Sequence, residues 1–185
     1  LPTQYLVLAR NGDRTVNGGV DAAYVYSGMS LANSDDELLL VGPGEVLVDA
    51  VRWGEGQEQN ATSGASLERA GFAADAGWVT AWQAWPGSAG DFGSPGAAYA
   101  PPDDGPPPPP PTPGPPPDNG DLPRLYVSEF LADPAAVGDN EGEWVEIHNP
   151  GDEPVNLRGW QLADLGTERH TIEGELLIAP GAFIV

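Results

Sequence analysis

The chain has no cysteine and no lysine, and only one of its 185 residues is methionine. The missing cysteine excludes disulfides, zinc–thiolate sites and thiol catalysis, although it says little about compartment. Basic charge is scarce: seven arginines face 28 acidic side chains, for a net charge of −21. Phosphate backbones and anionic head groups are bound through clustered lysine and arginine, so neither nucleic acid nor a membrane surface fits as a partner. An acidic surface does keep a protein soluble and gathers divalent cations, which suits a salty or calcium-containing exterior. Arginine as the sole strong base, with much alanine, glycine and proline, points to a GC-rich bacterial genome. No run nears the roughly 18 apolar residues of a membrane span. The opening LPTQ carries no charged region followed by an apolar core. With no initiating Met either, the chain reads as a segment of a longer protein.

What is abundant is turn chemistry: 25 glycines and 21 prolines. Thirteen of those prolines fall in residues 101–123, PPDDGPPPPPPTPGPPPDNGDLP. Such a stretch can neither pair as strands nor bury apolar surface, and is expected as a polyproline II spacer reaching roughly 70 Å at about 3.1 Å per residue. It divides the chain into a first part, 1–100, and a last part, 124–185.

The first part offers a β-hairpin from Glu37 to Val51, where two apolar runs flank Gly42-Pro43-Gly44-Glu45. Tyr5–Ala9 is a further short strand and Ala65–Ala70 a weaker one. Trp78, Trp82 and Trp85 lie among glycine and alanine, and Pro86 favours an irregular cover over a helix. The last part predicts strands over Leu125–Leu131, Glu143–His148, Val155–Ala163, Glu168–Ile172 and Leu176–Val185, punctuated by turn residues at the spacing of an all-β sandwich. No long amphipathic helix is legible, so the fold class is all-β.

Four ordered motifs in the last part, LYVSEFLADP (125–134), EWVEIHNPG (143–151), VNLRGWQL (155–162) and the stretch from Pro180 and Gly181 to Val185, resemble the opening half of a lamin-tail domain. The resemblance implies an immunoglobulin-like β-sandwich, a fold of the nuclear lamins that is also common in bacterial exported proteins. Residues 5–98 resemble the other half of the same domain, through YLVLARNGD (5–13), LANSDDELLL (31–40), VLVDAVRW (46–53), GASLER (64–69) and GSPG (93–96). Ser94 stands where bacterial members often have Thr. The order is reversed, with the closing half first, and Tyr5–Val7 and Phe183–Val185 match the same place in the pattern. This implies the end of one tandem copy, a linker, and the start of the next. The resemblance makes Asp49, Ser66, Leu67, Glu68, Arg69, Gly93, Pro95, Gly96, Glu129, Glu146, Asn149, Gly159, Trp160, Pro180 and Gly181 structural positions and implies no catalytic residue. It also implies a secreted or cell-surface location.

By simple alternation Glu129 shares its strand face with Leu125, Val127 and Leu131, toward the core, where a carboxylate needs hydrogen bonds or a cation such as Arg158. Glu146 shares its face with Trp144 and His148 and is expected to be solvated or a cross-strand partner. Asp133, Asp139, Asn140 and Glu141 offer hard oxygen ligands of the kind calcium prefers, though without EF-hand spacing. No cofactor is otherwise expected. His148 and His170 sit in different strands and supply no metal pair. Trp53, Trp144 and Trp160 are expected to fill the sandwich core or stack beside it.

No nucleophile elbow, phosphate loop, HExxH or dinucleotide fingerprint is present. The leading expectation is therefore a non-catalytic extracellular structural, adhesive or protein-binding module in a tandem-repeat protein, with a protein or glycan partner. The competing one is an accessory region of a secreted hydrolase, a nuclease or phosphatase, with its active site elsewhere. Three arrangements of the halves stay open: permuted closure within the chain, a strand-swapped dimer, or two separate partial sandwiches.

Overall fold

The structure is a computed structural model, and it describes residues 4–71, 77–102 and 122–181. Among these residues twelve strands form: β1 (Tyr5–Ala9), β2 (Tyr24–Val25), β3 (Asp36–Gly42), β4 (Val46–Trp53), β5 (Leu67–Arg69), β6 (Trp78–Thr80), β7 (Tyr126–Leu131), β8 (Trp144–His148), β9 (Val155–Asn156), β10 (Gln161–Ala163), β11 (Arg169–Thr171) and β12 (Leu177–Ile178). The one helix among the described residues is a single turn, α1 (Asp139–Gly142).

Both halves of the chain enter both main sheets. The larger runs β2-β1-β8-β7-β5-β6 and the smaller β11-β10-β3-β4, with β12-β9 as a separate pair. The hairpin β7–β8 is thus inserted between β1 and β5, antiparallel to each. In the smaller sheet β10 pairs with β3, Leu162 opposite Leu40. The strands closing the sandwich pair across the two halves within one chain.

Composition explains the positions. Every residue of β1, β7 and β8 is buried, as their near-continuous apolar runs require of strands covered on both faces. Leu6, Leu8, Leu38, Leu40, Trp53, Val127, Phe130, Val145, Ile147, Trp160 and Leu162 fill the core between the sheets. A second cluster, Val7, Ala9, Val20, Trp85, Leu131 and Trp144, covers the opposite face of the larger sheet. The β3–β4 turn forms where the sequence places it, Gly44 and Glu45 taking the left-handed conformation at φ 81° and 61°.

Three expectations need correction. Val155–Ala163 is not one strand: Gly159, at φ 83°, turns the chain so that β9 and β10 enter different sheets. Trp78 to Thr80 forms the edge strand β6 rather than irregular cover, because β5 offers it a free ladder. Strand β7 does not alternate simply, since its register with β8 shifts between Val127 and Glu129. That bulge turns Phe130 into the core and gives Glu129 and Leu131 to the opposite face, which Leu131 shares with Trp144. Most of the proline-rich segment, and Phe183–Val185, lie outside the described residues.

Candidate functional site: a row of buried carboxylates

The bulge in β7 places three glutamates side by side. Glu68 on β5 is opposite Glu129 on β7, which is opposite Glu146 on β8. Val7 on β1 continues the row beyond Glu146. All three are buried, Glu129 and Glu146 at 1% exposure. The expectation that Glu146 is solvated fails, and its cross-strand role holds. Arg158 is exposed and does not reach Glu129; its amide bonds Asn156 Oδ1 instead.

Serine hydroxyls and the loop from Gly93 to Gly96 satisfy the row. Ser66 Oγ donates to Glu129 Oε1 at 2.5 Å, and the Ser94 amide donates to the same oxygen at 2.8 Å. The Gly96 amide and Ser128 Oγ each donate to Glu146 at 2.6 Å. Ser94 Oγ lies within hydrogen-bond reach of Glu68 Oε1 and, at 3.1 Å, of Glu129 Oε2. Residue 93 must be glycine for the loop to seat, since a Cβ there would lie 2.7 Å from Glu129 Oε1 and 2.9 Å from Ser66 Oγ. Pro95 is half-buried in the same loop, and Gly96 takes φ 86°.

Burial is the first cause of an upward shift at all three acids. It pushes the Glu129 carboxyl up to about 8, helped by the neighbouring Glu68 charge and opposed by the serine hydrogen bonds. Glu146 is raised well above the usual carboxylate range by burial and then by Glu129, and Glu68 is raised by burial. Chemically, the row holds protons more tightly than exposed carboxylates do, and among the described residues no arginine pairs with it.

The other structural positions anchor different joints. Asp49 accepts from Arg69 Nη2 at 3.0 Å and from the Val127 amide, tying β4 to β5 and β7. The Arg69 guanidinium lies 5.2 Å from the Trp78 and Tyr126 ring centres. Asn149, fully buried, donates to the Glu153 carbonyl and accepts the Gly151 amide, while its own amide reaches Gln4. A Cβ on Gly181 would lie 2.5 Å from the Asn149 carbonyl oxygen, so the Pro180-Gly181 turn approaches as only glycine allows. Trp160 and Leu67 are buried in the main core.

The calcium candidates do not assemble. Asp133 and Asp139 both face the Asn33 amide, at 3.3 and 3.4 Å, and Asn140 and Glu141 line a shallow cleft of about 460 Å³ with Arg10 and Glu143. Among the described residues no three acidic or histidine side chains converge to hold a metal ion. Glu143 is absorbed by Arg10 at 3.3 Å and by the Leu31 amide, and burial still lifts it to about 7. His148 stacks on Tyr5, ring centres 4.4 Å apart, whereas His170 contacts Tyr24 and Ser27 at another place. Trp85 packs edge-on to Trp144, and Trp82 is 47% exposed.

Sequence reasoning singled out Glu68, Glu129 and Glu146 but not their adjacency, which depends on the β7 bulge and on pairing across the halves. It did not single out Ser128 or the partners of Arg10 and Glu143.

Two sheets, antiparallel but for the short β1–β2 pair, around a main apolar core, with polar groups turned inward to bind loops, define an immunoglobulin-like β-sandwich module. Residues 120–185, which supply β7 to β12, match the family model of the Lamin Tail Domain. No curated protein and no solved structure matches the chain. Among the described residues no helix is long and apolar enough to cross a membrane.

Proposed function

We propose that the chain is a non-catalytic, extracellular structural or adhesive module of a tandem-repeat protein, engaging a protein or glycan partner. In this reading residues 1–100 are the closing half of one lamin-tail copy and residues 124–185 the opening half of another, closed on each other through the linker. The observation that carries it is the inward use of the acidic groups. Glu68, Glu129, Glu146, Asp49 and Glu143, the buried acids best placed for general acid–base work, each accept hydrogen bonds that tie strands or loops together. A general base needs a substrate proton within reach, and these oxygens are already taken up by hydrogen bonds from the protein itself.

The purified chain, assayed against single- and double-stranded DNA, phosphate esters and soluble glycans, is expected to give no turnover. Reproducible turnover that disappears in Glu129→Gln or Glu143→Gln would defeat the proposal. Retention on an immobilised glycan or protein array without turnover would support it.

A further inference from the structure

The carboxylate row lies on the line where residues 4–102 meet residues 122–181. Glu68 and the Gly93–Gly96 loop come from the first stretch, Glu129 and Glu146 from the second. We propose that the row is a proton-held clasp, the loop staying seated across this seam while the row holds protons and lifting as the row ionises.

The geometry requires a proton. Ser94 Oγ carries one hydrogen, yet it contacts carboxylate oxygens of both Glu68 and Glu129. It can donate to one; the other contact is a hydrogen bond only if that carboxyl brings its own proton. Neighbouring strands lie about 5 Å apart, so three charges on adjacent positions would repel one another in a site shielded from water.

The elements packed around the row do not relieve this. Strand β1 offers Val7 opposite Glu146 and, two residues away, the Tyr5 phenol, pushed up to about 12 by burial and then by Glu146. On β5, Arg69 points away from Glu68 to Asp49. Strand β6 is Trp78, Val79 and Thr80, without charge. On β8, His148 is held down to about 4 by burial and is neutral at neutral pH. The loop from Gly93 to Gly96 has no charged residue, and Asp91 before it accepts the Ala135 and Ala136 amides.

The sign follows from linkage. The seated row holds protons that an open, solvated row releases above the ordinary glutamate range of about 4.3. Between that range and the folded value of about 8 for Glu129, each proton released raises the opening constant about tenfold per pH unit. The clasp is shut below this window and weakened through it.

Hydrogen exchange on the full chain tests this at the Ser94 and Gly96 amides, which donate to Glu129 and Glu146. After correction for base-catalysed exchange, their protection is expected to fall about tenfold per pH unit from pH 5.5 to 8. The Leu157 amide, bonded to the Leu176 carbonyl away from the seam, is expected not to follow. In Glu129→Gln, an uncharged copy of the protonated acid, the slope should shrink by one proton; Glu68→Gln serves if that variant does not fold. Protection that is flat with pH in the unmodified chain, or a slope unchanged in the folded Gln variant, would overturn the clasp.

Discussion

His148 works against the carboxylate row in pH. Its ring is buried against Tyr5, and burial lowers its proton affinity to about 4, below the ordinary histidine value of about 6.5. As pH falls through that interval the unfolded chain takes up a proton that the folded chain refuses, so stability declines toward acid. The row loses stability in the other direction, toward alkali. From about pH 4.3 to 6.5 the two oppose each other, and above that only the row acts, so the thermal midpoint is expected to fall as pH rises from about 6.5 to 8. In His148→Gln, where the opposing contribution is gone, the midpoint at pH 4.5 should rise relative to that at pH 6.5 by calorimetry, with the fall above pH 7 unchanged. A difference between pH 4.5 and 6.5 equal to the parent's would assign the acid sensitivity elsewhere.

Strands differ in how plainly the sequence announces them, and the reason is whether their faces are set locally. The β3–β4 hairpin was legible because its apolar runs, its Gly-Pro-Gly-Glu turn and its pairing lie within 18 residues. Strand β7 was legible as a strand and misread as to face. Its bulge is imposed by β8 and by the serines that receive Glu129, and nothing in YVSEFL states it. Glu146 looked solvated for a similar reason: the amide that covers it belongs to Gly96, 50 residues earlier in the chain. The split of Val155–Ala163 could have been inferred from Gly159, whose left-handed turn ends one strand before the next begins. Among strands, the inserted hairpin carries the most buried apolar side chains, so Ile147→Ala on β8 is expected to cost about 2–5 kcal/mol in urea denaturation. Leu47→Ala on β4, at 52% exposure, should change stability by no more than about 0.5 kcal/mol. Equal effects would mean that the hairpin is not central.

On the scale of the whole molecule, pairing across the halves makes a testable statement about connectivity. A protease site placed in residues 103–121 and cleaved after folding is expected to leave one particle of unchanged mass under native conditions, resolving into two pieces only in denaturant. Once cut, its midpoint should rise with protein concentration, because the halves then associate by mass action. Separation of the pieces on native sizing would contradict the shared sheets. The same interleaving governs the order in which the fold is reached during synthesis. Strands β1, β3 and β5 leave the ribosome well before β7, β8 and β10, their sheet neighbours. At roughly 5–20 residues per second, the first half waits on the order of ten seconds for its partners. Through that interval Leu6, Leu8, Leu38 and Leu40 have no sheet to cover them, and the proline-rich segment is the stretch translated while they wait. A nascent chain of this sequence is therefore most exposed to misassociation just before its last third emerges, when a chaperone that shields apolar strands would matter most.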